Sequence, residues 1–104
     1  MSTRHKVTGR YHDQAQLWRG DEKCADVRVR LTGWVRVDDI PGVEEPFEST
    51  TTWDGFLEGM TRHQLGELVS AGQFELRLTN GQSAQAVLTD MRTGHVQGIR
   101  ETPF

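Results

Sequence analysis

The chain has 104 residues, 35% hydrophobic and 26% charged, with a formal net charge of −3, one cysteine and a mean hydropathy of −0.62. At this length a chain buries roughly 60–70% of the surface its unfolded form exposes, enough for one core and not two, so a single domain over 1–104 is expected. There is no apolar run of about 20 residues for a membrane span, no apolar stretch after Arg4-His5-Lys6 for a secretory signal, and no second thiol to pair with Cys24, which points to a cytoplasmic protein without disulfides or a membrane partner.

Residues 1–5 are expected to be loosely ordered, as termini usually are. Ala15 and Leu17 alternate with Gln14 and Gln16, and Arg19-Gly20-Asp21-Glu22 supplies turn chemistry. A long strand follows, with Val27, Val29, Leu31, Val35 and Val37 on one parity and Arg28, Arg30, Trp34 and Arg36 on the other. These two strands are expected to pair as a hairpin. Gly33 falls on the apolar parity, marking a bulge or bend that suits a small barrel.

Asp39-Ile40-Pro41-Gly42 is a turn signal, and 38–49 reads as an acidic loop carrying Asp38, Asp39, Glu44, Glu45 and Glu48. A short strand is expected from Thr50 to Leu57, with Trp53 and Phe56 on it. Thr61 followed by Gln64 makes a capping box, Leu65, Leu68 and Val69 recur at helical spacing, and Gly72 can end the element. The helix is therefore placed near 62–71; Gly66 inside it costs about 1 kcal/mol relative to alanine, so packing must hold it.

Phe74, Leu76 and Leu78 share parity with Ala84, Ala86 and Leu88 across Asn80-Gly81. A two-residue Asn-Gly loop would set Leu76 against Gln85 and Leu78 against Ser83, apolar against polar. A three-residue loop with Gly81 in a bulge instead pairs Leu76 with Ala84 and Phe74 with Ala86, and is the expected form. A last strand, His95 to Glu101, follows the Asp90–Gly94 turn and brings in Val96 and Ile99. The fold class is mainly β: about six antiparallel strands in a small barrel or sandwich, with one short helix over an open end or edge.

Chemistry is sparse. His5, His12, His63 and His95 match no metal spacing, the glycines form no phosphate cradle, and Cys24 and the serines lie in no recognised nucleophile motif. No cofactor, metal or catalytic residue is assigned, and Cys24 is expected to pack at a strand start. Twelve Lys/Arg against fifteen Asp/Glu argue against a nucleic-acid partner. The strongest constellation is Arg28, Arg30, Trp34 and Arg36, with Trp53 as a further binding candidate, because arginine and tryptophan combine contact area with directed hydrogen bonds. An acidic protein surface or small anionic ligand is the partner such a face would take. The ordinary alternative is that the acidic loop folds back and neutralises it.

The order Tyr11-x-x-x-Ala15, Val27-x-Val29-x-Leu31-x-Gly33, Trp53-x-Gly55 and Gly94-x-x-x-Gly98 with Pro103-Phe104 resembles the small actinobacterial family known as domain of unknown function 4873. Members resemble β-rich modules found alone or after flavin-dependent monooxygenase-like enzymes, which implies an accessory or binding role and no catalytic residue. The first expectation is thus a non-enzymatic binding module, accessory to an oxidoreductase. The second is a small-molecule or enzymatic site in the barrel mouth near Trp53, His63 and the acidic loop. The third is a structural subunit or homodimer joined through the strand edge at Thr50 to Trp53.

Overall fold

A computed structural model describes residues 2–44, 47–100 and 102–104. Six antiparallel strands, β1 (Ser2–Arg19), β2 (Glu22–Asp39), β3 (Phe47–Glu58), β4 (Gln73–Leu78), β5 (Ser83–Asp90) and β6 (His95–Gly98), form one sheet that closes in the order β1-β2-β3-β6-β5-β4. The helix α1 (Arg62–Ala71) packs Leu65 and Leu68 into the core against β4 and β5. The ring is uneven. β1 meets β4 only over Ala15–Trp18, and β3 meets β6 only over Asp54–Phe56, so the far ends of β1, β2 and β3 extend beyond the ring as a three-stranded arm. The longest dimension is accordingly 52 Å, against 27 and 21 Å for the others.

Local chemistry accounts for the elements. β1 and β2 turn over Gly20-Asp21, with Gly20 at φ 62°, the positive value that the first position of a tight hairpin loop demands. The β4–β5 hairpin takes the bulged form: the Leu78 carbonyl accepts from Gly81 at φ 84°, the Leu78 amide donates to Gln82, and Leu76 pairs with Ala84 and Phe74 with Ala86. In α1 the Thr61 hydroxyl accepts from the Gln64 amide while the Gln64 side chain accepts from the Thr61 amide, and Gly72 closes the helix. The capping box satisfies two donors at the start of the helix, and the Gly72 N–H donates to the Leu68 and Val69 carbonyls at its end, which together offset the glycine in the middle.

Trp53, Phe74, Leu17, Leu31, Leu76, Val29 and Val96 are all less than 2% exposed and fill the ring. Trp53 lies flat under β6, where a Cβ on Gly98 would fall 2.2 Å from the indole, and Phe104 packs edge-on against it at 6.3 Å. The segment after β6 crosses the barrel to lie over Gly33, where a Cβ would stand 2.9 Å from the Thr8 hydroxyl and 3.0 Å from Thr102. Gly33 therefore makes room for this crossing, and the bulge it was expected to mark sits opposite it in β1, between Val7 and Gly9.

Several boundaries differ from expectation. Residues 2–5 belong to β1 because Thr3, Arg4 and His5 pair with Asp38, Val37 and Arg36, and partners on β2 order what would otherwise fray. The 38–49 segment is not loop throughout: Asp38 and Asp39 end β2 and Glu48 pairs with Val37 in β3, leaving the described residues 40–44 as turn and loop, while Glu45 and the side chain of Glu48 lie outside the described residues. β6 stops at Gly98, leaving Ile99 41% exposed, and Val69 is 48% exposed on the outer side of α1. Cys24 is near the start of β2 but exposed.

Candidate functional site

Period-two alternation puts β2 to work on both sides of the sheet. Val27, Val29, Leu31, Val35 and Val37 are buried, whereas Arg28, Arg30 and Arg36 are exposed and Trp34 half-buried on the outer face. The predicted constellation is thus assembled by one strand, with Arg28 and Arg30 about 7 Å apart along it and Arg36 about 20 Å beyond Arg30. β1 adds His5 opposite Arg36, Arg10 opposite Thr32 and His12 opposite Arg30, while β3 adds Phe56 opposite Arg30 and Glu58 opposite Arg28.

Trp53 does not join this face. It is fully buried, and among the described residues its Nε1 is a buried donor with no acceptor. Trp53 and Phe56 have opposite parity, so one of them had to point inward. The register gives the core position to Trp53 and leaves Phe56 outside, 37% exposed beneath the Arg30 guanidinium at 5.8 Å.

The acids on the face are engaged by their neighbours. Glu58 lies 3.6 Å from Arg30 and 3.3 Å from His12, and Arg36 Nε donates to Asp38 at 3.2 Å. The Thr3 hydroxyl also donates to Asp38 at 2.8 Å; this contact foremost, joined by the hydrogen bond and charge of Arg36, holds its carboxyl below the ordinary value, outweighing the opposing effect of burial. Asp39 meets Arg4 at 3.7 Å, and Glu44 is exposed in the turn. Arg10 and Arg28 make no ion pair with any described residue. Pairs as exposed as Arg30 with Glu58 are worth about 0–1 kcal/mol, so the arginines remain available to a partner.

Beside the arginines runs a polar chain that sequence inspection missed. The Trp34 indole donates to Asp54 Oδ1 at 2.9 Å, Asp54 Oδ2 lies 3.0 Å from His95 Nε2, and His95 Nδ1 meets the Thr89 hydroxyl. Four strands contribute one residue each, and Asp54 and His95 are 41 positions apart, so only the β3–β6 pairing of Asp54 with Gln97 and Phe56 with His95 brings them together. The Phe56 ring stands edge-on to the imidazole at 5.3 Å. His63, by contrast, is on α1, highly exposed and 3.1 Å from Glu67, so it does not share a site with Trp53.

Buried side chains, Trp53 and Phe74 foremost, pack the interior of the ring, and a cleft of about 730 Å³ opens where β6 stops short, lined by Thr51, Thr52, Glu75, Ser83, Gln85 and Arg100 among others. Among the described residues no group of three His, Cys, Asp or Glu side chains is arranged to hold a metal ion, and no helix is long and apolar enough to cross a membrane. The chain matches no family model, no curated protein and no solved structure.

Proposed function

We propose that the protein is a binding module that takes an acidic segment of a partner protein on the outer face of β1, β2 and β3. The observation that carries this is the alignment of Arg28, Arg30, Trp34 and Arg36 on one side of one strand, with Phe56 beside Arg30. The face's own acids, Asp38, Asp54 and Glu58, are already hydrogen-bonded or ion-paired to neighbours. Cations flanking half-exposed aromatic rings give a partner both charge-assisted hydrogen bonds and contact area. An extended acidic segment with carboxylates two residues apart would match Arg28 and Arg30, and a third carboxylate six residues further on would reach Arg36. A cytoplasmic setting, read from composition, and an accessory role beside an oxidoreductase, which the family resemblance implies, are part of the proposal. Calorimetry with poly-L-glutamate tests it: the parent protein binds, more weakly as salt rises, and the double variant Arg28→Gln, Arg30→Gln loses binding with an unchanged melting temperature. Unchanged affinity in the double variant would remove the idea, and full displacement by citrate would favour a small anion instead.

A small-molecule site is the second possibility, favoured by the cleft beside Gly98, beneath which the Trp53 indole N–H is buried with no acceptor among the described residues. Weaker poly-L-glutamate binding in Arg100→Gln than in the Arg28/Arg30 variant would shift the assignment there.

A further inference from the structure

We propose that Thr89, His95 and Asp54 form an acyl-transfer site, with the Thr89 hydroxyl as nucleophile, His95 as general base and Asp54 as the group that fixes the imidazole. The hydrogen bonds assign the protons. An ionised carboxylate only accepts, and Asp54 receives the Trp34 N–H on one oxygen and faces His95 Nε2 at 3.0 Å with the other. Nε2 therefore carries the imidazole proton. In the neutral ring Nδ1 is then bare, and the donor that meets it is the Thr89 hydroxyl. This is the contact that nucleophile activation requires, with the base itself oriented by a third group.

The same hydroxyl lies 3.1 Å from the His95 carbonyl. Once the imidazole gains a proton, Nδ1 donates to Oγ1 and the hydroxyl turns to that carbonyl. Both contacts thus belong to one site in two protonation states.

The backbone explains why the threonine reaches the ring. β5 pairs Leu88 with Val96 and Asp90 with His95, so Thr89 is the extra residue of a bulge, a device that re-aims a side chain and is common beside active sites. Thr89 is exposed, and His95 keeps about a quarter of its side chain open (26%), so a small molecule can approach the hydroxyl. The substrate class is a small carboxylic ester. Thr89 Oγ1 bonds to the ester carbonyl carbon while its proton passes to His95 Nδ1. The tetrahedral adduct then collapses, breaking the bond to the alcohol oxygen, which takes that proton and leaves. Water, giving a proton to the same nitrogen, then attacks the acyl-threonine; the carboxylic acid departs, and Thr89 recovers its proton.

The test uses the full chain with p-nitrophenyl acetate, following p-nitrophenolate release and mapping acetyl groups by peptide mass spectrometry, so that adducts on Cys24 or lysines are counted separately. Acetyl on Thr89 is expected, lost in Thr89→Val and in His95→Gln. Asp54→Asn is the decisive variant, because its amide would donate to Nε2 and move the imidazole proton to Nδ1, where it blocks the base. Thr89 acetylation should then slow by on the order of 10²-fold at an unchanged melting temperature. His63→Gln, exposed on α1 and outside this chain of contacts, should acetylate at the parent rate, whereas poly-L-glutamate affinity is read separately and tests the binding proposal alone. Absence of acetyl on Thr89, or acetylation as fast in Asp54→Asn, would overturn it and leave the chain of contacts as a clamp between strands.

Discussion

The two faces of β2 are built from the same alternation and serve opposite ends. Inward, Val27, Val29, Leu31, Val35 and Val37 are at most 4% exposed, and the first three join Trp53 and Phe74 in one buried core. Outward, Arg28, Arg30 and Arg36 stand in solvent beside a half-buried Trp34, and the ion pairs of Arg30 with Glu58 and Arg36 with Asp38 involve arginines too exposed for these pairs to hold the fold together. Stability is thereby concentrated on one side of the sheet and recognition on the other. Substitutions should separate the two.

The largest effect is expected inside. Trp53→Ala empties the centre of the ring and should cost about 3–5 kcal/mol in a denaturant titration. Gly98→Ala places a methyl into the Trp53 indole and should cost about 1–3 kcal/mol by the same measurement. If either variant melted like the parent, the packing between Trp53 and Gly98 would not be the keystone of the inner face. At the edge of the core, Thr61→Ala removes a hydrogen-bonded cap from α1 and should cost about 1 kcal/mol. Gly66→Ala should instead stabilise by about 0.5–1 kcal/mol, because the new methyl meets only Met91 Cε, at an ordinary 3.6 Å.

The outer face should respond least in stability. The Arg28→Gln, Arg30→Gln pair is expected to stay within about 0.5 kcal/mol of the parent in a thermal melt. Asp38 offers a finer probe. Its carboxyl titrates below the ordinary value because Thr3 and Arg36 favour the charged form, so what it adds to stability is present above the ordinary pKa and is lost as pH falls through the lowered one. Carbon-detected NMR should find Asp38 among the last carboxylates to protonate, and Thr3→Val should move its midpoint upward.

Much of the inner face was legible in the sequence because burial imposes a period. The valines of β2 fixed its parity, the match of Leu76 with Ala84 chose the bulged hairpin over the shorter Asn-Gly loop, and the Thr61–Gln64 box located α1. The outer face was legible only within a strand. Arg28, Arg30, Trp34 and Arg36 could be grouped from spacing, but the contacts of Asp54 with His95 and of His95 with Thr89 depend on the β3–β6 and β5–β6 registers and on a bulge that leaves no mark in composition. Trp53 was misplaced for a related reason. Alternation shows that Trp53 and Phe56 point to opposite sides without saying which side is inside, and the open space above Gly98 that admits an indole is visible only once β6 is laid beside β3.

The most direct test of this division between faces is an amide and indole NMR map of the protein titrated with poly-L-glutamate. Saturable shifts are predicted at Arg28, Arg30, Trp34 and Arg36 and at the Trp34 indole N–H, with the Trp53 indole N–H unmoved. Shifts centred instead on Trp53, Ser83, Gln85 and Arg100, or no saturable shift at all, would contradict it.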